Sequence, residues 1–337
     1  MKIILDGMGG DNAPAAVVEG AVDASRLIDH EITITGDGEL INKELSKRKY
    51  DLKQISVEHA PETITNDDAP VKAVRTKKDS SLVVGLNKLK EGEGDVFISG
   101  GNTGAIMAGG LFILGRIQGI DRPAIASAYP ILGAGVSLLV DAGANSECKP
   151  NNLLEFGTMG SIYMEKVLDR KNPTVGLVNI GSEESKGTTV VKAAYELLAK
   201  SDVNFIGNVE AREVPKGACD VIVCDGFVGN VILKLTEGLA WNIFKLVKTK
   251  FTSGAAAKMG AVLLAGKLKE LKKEFDYSEY GGAPILGLRK PVVKMHGSSS
   301  VKGVKNTILK AAPFAEENVI SIIQNAVVDI EEILISE

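Results

Sequence analysis

Short apolar runs recur along the chain, and most are followed by a small-residue turn and then a stretch with helical periodicity. Such runs span residues 2–5, 31–36, 95–99, 135–141, 174–180, 203–207 and 220–225. Short continuous apolar runs are typical of strands that are buried on both faces. Strands that alternate with helices favour parallel pairing through crossover connections. The sequence therefore predicts an α/β protein, a three-layer α/β/α sandwich with a mostly parallel sheet.

Composition narrows the possible classes of protein. The 337 residues are 45% hydrophobic and 24% charged, which is ordinary for a globular chain. A formal net charge of −4 and few aromatic residues argue against a nucleic-acid partner. Cys148, Cys219 and Cys224 lack the spacing of a metal site and indicate reduced thiols, so we expect no metal. No apolar run reaches the roughly 18 residues of a membrane-spanning helix, and we expect a cytoplasmic protein.

The stretch "DVFISGGNTGAIMAGG", residues 95–110, is the strongest candidate for a ligand site. In doubly wound sheets, ligands bind beyond the carboxyl ends of strands, where such loops lie. Backbone N–H groups and side-chain donors at a helix N-terminus favour an anion. The stretch lacks the Lys-Ser/Thr ending of a nucleotide P-loop, which argues against ATP or GTP. The predicted anion site comprises Gly100, Gly101, Asn102, Thr103 and Gly104, with a plain capped turn as the alternative.

The first strand-end loop, residues 5–14, is rich in glycine but carries Asp6 and Asp11. Two acids make it a poor phosphate cradle by itself. It is not a G-x-G-x-x-G loop, so binding of NAD is only weakly supported. Both aspartates remain possible site-lining residues, and a helix cap is the alternative role for Asp11.

Two later loops add candidate polar groups. Lys186 stands before Gly187 and a helix, where a lysine can neutralise a phosphate or an oxyanion, although a solvated surface lysine is the alternative. Asp225 and Asn230 follow the strand at 220–225, and the Asn230 amide is suited to donate to a carbonyl oxygen. A helix cap is the alternative for this pair.

His296 precedes Gly297 and three serines, and histidine suits general acid–base work. A Ser-His-Asp triad of the hydrolase type needs a G-x-S-x-G elbow, and the chain has none. Together the loops describe an anion site without a nucleophilic Ser or Cys, a metal cluster or a nucleotide motif.

The loops also match a known family. "DGMGGD", "SGGNTGA", "DRPAIA", "VDAGAN", "NFIGNVEAR", "DVIVCDGFVGNVILKLTEG", "YGGAPILGL" and "HGSS" occur in this order. In these motifs the chain resembles, over essentially its full length, the bacterial phosphate acyltransferases of phospholipid synthesis. These are the acyl-acyl carrier protein:phosphate transacylases.

The resemblance implies an α/β/α fold similar to the isocitrate and isopropylmalate dehydrogenases and the phosphotransacetylases. It also implies a homodimer. In the reaction that the resemblance implies, inorganic phosphate attacks the thioester of an acyl carrier protein, and a membrane glycerol-3-phosphate acyltransferase then uses the acyl phosphate to make phosphatidic acid. No cofactor is implied. For this reaction we expect the 99–104 turn and Lys186 to hold phosphate, and Asn230 to donate to the thioester oxygen. His296 then assists the leaving thiol or orients its loop.

Residues 245–294 are unlike the rest of the chain. They contain eleven basic and four acidic residues, a net +7 in a chain whose total is −4. We expect one catalytic unit over residues 1–337 with a basic amphipathic helical insertion at about 245–280. A basic amphipathic stretch suits an anionic membrane surface, with peripheral association, or an acidic carrier protein, and a dimer-packing helical pair is the alternative. The predicted contact residues are Lys258, Leu263, Leu264, Lys267, Lys269, Lys272 and Lys273.

Three other functions stay open from the sequence. A short-chain phosphotransacetylase that uses coenzyme A shares the fold and the anion loop. An NAD-dependent dehydrogenase of similar fold needs a metal-binding acid cluster and a nicotinamide site, for which the loops offer little. The third is a binding or scaffold protein without catalytic activity.

Overall fold

The computed structural model describes residues 1–133, 135–274 and 279–335, and the strands of this part form one sheet. In chain order they are β1 (Lys2–Asp6), β2 (Glu31–Gly36), β3 (Ile55–His59), β4 (Val96–Ser99), β5 (Ala124–Pro130), β6 (Val136–Val140), β7 (Thr174–Asn179), β8 (Asn204–Glu210), β9 (Val221–Val223), β10 (Ala283–Leu286) and β11 (Val292–Lys294).

Helices flank both faces of this sheet. They are α1 (Ala15–Ser25), α2 (Gly38–Leu45), α3 (Pro70–Thr76), α4 (Ser81–Glu91), α5 (Thr103–Gly109), α6 (Pro150–Val167), α7 (Thr189–Lys200), α8 (Gly226–Phe251), α9 (Ala255–Glu274), α10 (Val301–Glu316) and α11 (Val319–Ile335). A π-helical turn, Gly110–Leu114, extends α5, and a short 3₁₀ turn spans Val214–Lys216.

The strand order is β3-β2-β1-β4-β11-β10-β5-β6-β9-β7-β8. The first five strands are parallel to one another, and so are the last four. β10 pairs antiparallel with β11 and β5, and β5 pairs antiparallel with β6. The two parallel blocks therefore run in opposite directions and meet at β10 and β5, in the middle of the sheet.

Strand alternation builds the three layers. In β1, Ile3 and Leu5 belong to a core cluster with α1, α6, α10 and α11, whereas Ile4 packs in a second cluster with α4 and α5. Successive strand side chains point to opposite faces, so a strand covered on both sides is apolar throughout. Complete burial of each such aliphatic side chain is worth about 1.5–3 kcal/mol. The mostly parallel α/β/α prediction is confirmed.

The N-terminal turn of α8 is buried against the loop that follows β6. A Cβ at Gly229 would overlap the carbonyl oxygen of Asp141, so only glycine allows this approach. Farther along, the same helix exposes large apolar side chains, among them Leu235 and Trp241. A turn at residues 252–254 leads into α9. Across the described ranges, the helices fall short of the length and apolar character needed to cross a bilayer.

Candidate active site

Three loops meet beyond the carboxyl ends of β1, β4 and β11. The backbone N–H of Asp11 donates to the carbonyl oxygen of Gly297 at 2.8 Å. The Asn12 amide nitrogen donates to the carbonyl oxygens of Ser298 and Ser299, at 3.2 and 3.1 Å. A Cβ at Gly9 would lie 2.7 Å from the nitrogen of Gly101, so these two backbones are in direct contact. The loops at 7–12, 99–102 and 296–299 thus form one unit.

Asp6, the last residue of β1, accepts hydrogen bonds that hold two of these loops in position. Its side chain is buried and accepts from the Ser99 hydroxyl at 2.6 Å and from the Met8 N–H at 3.1 Å. Burial raises the pKa of Asp6, and hydrogen bonds from Ser81 and Ser99 oppose that rise. The Ser99 hydroxyl in turn accepts from the N–H of Gly101 at 3.1 Å. Asp6 therefore positions the 99–102 turn through Ser99.

Asn102 caps α5 and links it to the loop that precedes α3. Its side-chain oxygen accepts from the N–H of Ala105 at 3.1 Å. Its amide nitrogen lies 3.2–3.4 Å from the carbonyl oxygens of three residues, Thr65, Asn66 and Asp68. The sequence-based expectation that Asn102 and the Gly101 N–H face an anion is thus not favoured by the geometry, because both groups already bond within the fold. Thr103, the first residue of α5, is the member of the turn that reaches a cavity.

The central cavity, as we name it, has a volume of about 350 Å³ and lies where the two parallel blocks meet. Backbone and side chains of β5, β10 and β11 form one side, and α8 forms another. The polar side chains that line it are Thr103, Ser127, Asn230, Lys234, Glu237, Tyr280, Lys294 and His296. It therefore combines two lysines, a histidine, a carboxylate, an amide and hydroxyl groups in one concave site.

Lys294 ends β11 and was not singled out from the sequence. Its ammonium donates to the carbonyl oxygen of Met295 at 2.7 Å. Burial, together with the charge of Lys234, lowers the pKa of Lys294 to about 8, and the charge of Asp11 opposes this fall. At neutral pH the side chain is still mainly protonated. A lysine that ends an apolar strand two residues before His296 is a signal that could have been found, but β11 was not predicted.

His296 lines the same cavity in a defined tautomer. Its Nδ1 accepts from the backbone N–H of Ser298 at 3.2 Å and lies 2.9 Å from the Ser298 hydroxyl. Because Nδ1 is an acceptor, the proton of the neutral ring is on Nε2. Burial lowers the pKa of His296, and Lys234 and Lys294 also lower it, which keeps the ring neutral at pH 7.

Asn230 reaches the cavity because the first turn of α8 is anchored. Asp225 caps that turn by accepting from the N–H of Val228 at 2.7 Å. Asp141 is buried and accepts from the N–H groups of Gly143 and two following residues, at 2.7–3.1 Å. A Cβ at Gly143 would lie 3.5 Å from the Cβ of Asn230. Asp225 is thus a helix cap, while Asn230 lines the central cavity.

The structure does not place Lys186 with these groups. It is exposed on the loop after β7, and its carbonyl oxygen accepts from the Asn179 amide nitrogen at 3.1 Å. In the part of the chain that is described, Lys186 lies outside the lining of the central cavity. Strand β9 separates β7 from β6, so this loop is displaced from the meeting point of the two blocks. The expected grouping of Lys186 with Asn230 and His296 is therefore corrected.

The predicted basic contact residues lie on α9, apart from the central cavity. Leu263 is 81% exposed, and Leu264 is 46% exposed, so the apolar side chains face outward. Lys258 and Lys269 are exposed, and Lys267 pairs with Glu270 at 2.8 Å. The side chains of Lys272 and Lys273 lie outside the described residues.

The three cysteines do not have the properties of nucleophiles. Burial raises the pKa of Cys148 and of Cys219 to about 12, and it raises that of Cys224 as well. At neutral pH these thiols are protonated, whereas the thiolate is the reactive form.

Comparison with solved structures identifies the fold class of this chain. The phosphotransacetylase of Streptococcus pyogenes superposes on this chain with a TM-score of 0.66, covering 94% of each chain. The sequence identity is 19%, so this likeness concerns the α/β/α architecture alone.

Sequence relatives then identify the family. The protein-family model described as "Fatty acid synthesis protein" matches residues 1–322. The phosphate acyltransferase of Alkaliphilus oremlandii is 57% identical over 327 residues, 97% of each chain. That of Clostridioides difficile is 52% identical over 320 residues, 95% of this chain and 94% of its own. The chain belongs to the phosphate acyltransferase family and is an acyltransferase, which confirms the resemblance seen in its motifs.

Proposed function

We propose that the protein transfers a fatty acyl group from acyl carrier protein to inorganic phosphate and releases acyl phosphate for phosphatidic acid synthesis. The observation that supports this best is the central cavity, in which Thr103, Asn230, Lys294 and His296 converge. These groups suit a dianionic nucleophile and a thioester held side by side. The curated relatives carry the name phosphate acyltransferase, which agrees with phosphate as the acceptor.

Phosphate is a nucleophile in its own right, so no covalent enzyme intermediate is needed. In the proposal the Lys294 ammonium and the Thr103 end of α5 hold phosphate near the thioester carbon. A separation of about 3–3.5 Å between the reacting atoms is the productive range. Attack forms a P–O–C bond and a tetrahedral oxyanion, to which the Asn230 amide donates. One well-placed donor of this kind is worth about 3–4 kcal/mol.

Collapse of the oxyanion breaks the C–S bond and expels the carrier thiolate. An unperturbed thiol has a pKa near 8.5, so the leaving group needs little assistance from an acid. Neutral His296, with its proton on Nε2, is the group we assign to donate to the departing sulfur. The proton lost by monohydrogen phosphate restores the ring, so acyl thioester and phosphate become acyl phosphate and free thiol.

Substitutions separate the assigned roles. We expect Asn230→Ala to lower kcat by about a hundredfold to a thousandfold, because an oxyanion donor acts mainly in the transition state. Lys294→Met and Lys186→Ala test two lysines, one inside the cavity and one outside it. The geometry predicts the larger rise in KM for phosphate from Lys294→Met. A larger effect from Lys186→Ala would restore Lys186 to the site and remove Lys294 from its proposed role.

The decisive assay is mass detection of acyl phosphate formed from palmitoyl-carrier protein and phosphate. Palmitoyl-coenzyme A and acetyl-coenzyme A are the comparison donors. Acyl phosphate from the carrier-protein thioester supports the proposal. Product from acetyl-coenzyme A alone would instead indicate a short-chain phosphotransacetylase.

The proposal includes a homodimer. On α8, Phe227, Val231, Leu235 and Leu239 recur every four residues and are 49–67% exposed. This spacing forms a stripe along one helix face, and exposed apolar surface of that kind favours a second copy as its cover. We expect sedimentation to give a dimer and Leu235→Lys with Leu239→Lys to give a monomer. A wild-type monomer at micromolar concentration would contradict this.

The exposed lysines and leucines of α9 support peripheral contact with an anionic membrane or with the acidic carrier protein. Such contact would release acyl phosphate close to the membrane glycerol-3-phosphate acyltransferase that we propose consumes it. Flotation with anionic vesicles and carrier-protein binding are the two measurements that separate these partners.

A further inference from the structure

A second and larger cavity adjoins the central one. This outer cavity has a volume of about 840 Å³. The two cavities share wall residues from four parts of the chain, namely Ala128, Leu233, Lys234, Glu237, Gly281 and His296. A molecule whose reacting end lies in the central cavity can therefore extend into the outer one. Of the four residues given roles in the proposed reaction, Thr103, Asn230 and Lys294 line the central cavity only, and His296 lies at the junction.

One face of α8 supplies much of the apolar wall. Leu233, Ala240, Trp241 and Phe244 line the outer cavity and fall at helical intervals on that face. Tyr129 of β5 lies on the wall as well, and its hydroxyl is 2.9 Å from the Thr236 hydroxyl. Tyr129 is only 1% exposed, so its ring packs inside this wall, and the contact between the two hydroxyl groups joins β5 to α8.

We propose that the outer cavity binds the alkyl chain of the acyl group, and that α8 from Leu233 to Phe244 sets the accepted chain length. This inference rests on the proposed acyl transfer to phosphate. The distance along α8 from Asn230 to Phe244 is about 21 Å, so a thioester held at Asn230 can direct a long chain beside the helix. At the junction of the two cavities Lys234 pairs with Glu237 at 2.8 Å. Another part of the outer wall is polar and is formed by Ser298, Ser299, Ser300, Lys302 and Thr307.

The size of the cavity favours a long chain over a short one. An acetyl group ends within the central cavity and leaves the outer cavity to water. Each methylene that leaves water for an apolar wall contributes up to about fourfold in binding. A volume of 840 Å³ lies in the range of sites for drug-sized ligands. The chain-length preference is therefore expected to rise steeply between butyryl and palmitoyl donors.

Gly238 allows a sharp test because it lines the outer cavity and has open space around it. A Cβ added there meets no atom within 4 Å, and the same holds for Gly260 on α9, outside both cavities. We expect Gly238→Leu to lower the palmitoyl-to-butyryl ratio of kcat/KM at least tenfold. Gly260→Leu is the matched control and should keep the wild-type ratio. An unchanged ratio in Gly238→Leu, or equal loss in both variants, overturns the inference.

Trp241 provides a readout that does not depend on catalysis. It is the one tryptophan of the chain, it lines the outer cavity, and its side chain is 69% exposed. We expect palmitate to shift its emission to the blue in a saturable way, and butyrate at equal concentration to have no effect. Emission that is indifferent to chain length overturns the inference.

The two measurements also separate this inference from the proposed function. If no donor yields acyl phosphate while palmitate still shifts Trp241 emission, the proposed reaction fails and the chain site stands. If acyl phosphate forms but neither the ratio nor the emission depends on chain length, the reaction stands and the chain site fails.

Discussion

Replacing Lys294 with methionine should weaken phosphate use and stabilise the fold at the same time. Methionine has nearly the length of lysine without its charge, so the end of β11 keeps its packing. Burial lowers the pKa of Lys294 from 10.5 to about 8. That difference corresponds to about 3 kcal/mol of unfavourable free energy for holding the ammonium in the cavity. Removing the charge therefore stabilises the folded protein by that amount. Loss of the hydrogen bond to the Met295 carbonyl destabilises it by about 1 kcal/mol and offsets part of this stabilisation.

The pH dependence distinguishes this explanation from a general effect on packing. The folded-state pKa lies below the unfolded one, so the folded protein loses its proton first as the pH rises. Below pH 8 the full penalty is present in the wild type. Between about pH 8 and 10.5 the penalty disappears, because the folded form is already neutral. The stability advantage of Lys294→Met should therefore be about 2 kcal/mol at pH 7 and vanish or reverse near pH 10.5.

Urea unfolding of both proteins at pH 7 and pH 10 measures this difference directly. Lys90→Met, at an exposed lysine of α4, is the matched control and should change stability by less than about 0.5 kcal/mol at either pH. Inorganic phosphate should raise the Tm of the wild type by mass action and have little effect on Lys294→Met. A variant that is less stable than the wild type at pH 7, or a difference that is independent of pH, would refute the reasoning.

Three further results are expected. Gly229→Ala should destabilise the protein by more than about 3 kcal/mol in chemical denaturation, because its Cβ overlaps the Asp141 carbonyl, whereas Gly266→Ala, in open space on α9, should be neutral or stabilising. Burial raises the pKa of Glu155 to about 7, so wild-type stability relative to Glu155→Gln should fall as the pH rises from 4.5 to 7; a flat profile would contradict this. Charge reversal of the lysines in residues 269–273 should weaken binding to anionic vesicles or to carrier protein at low salt, and unchanged binding to both would remove the proposed α9 contact.

Much of the fold follows from local pattern. All seven strands expected from apolar runs are present, within one to three residues at their ends. Four strands were not predicted. β3 (ISVEH) mixes apolar and polar residues, β5 (AIASAYP) is rich in small residues, and β10 and β11 have only four and three residues. Their identity as strands depends on partners distant in sequence. Because β10 and β5 reverse the direction of the sheet, the placement of the site could not be worked out from the pattern either.

The residues of the candidate site were likewise only partly predictable from local sequence. His296 and Asn230 were chosen for their residue types at strand-end loops, and both line the central cavity. Asn102 and Asp225 were chosen on the same grounds, but in the structure their side chains cap helices. A side chain that can cap a helix and one that can contact a ligand have the same chemistry. Only the positions of their neighbours decide between the two roles.

Sequence alone thus determined the α/β class, the glycine-rich loops and the family, because apolar periodicity and turn chemistry are local properties of the chain. Tertiary structure decided which charged groups face each other. It brought Lys294 and His296 together with Asn230 where the two opposed parallel blocks meet, and it left Lys186 outside. It also joined an apolar cavity to the polar one along α8. These outcomes depend on contacts between segments far apart in the chain, and burial then alters the pKa values of the groups they enclose.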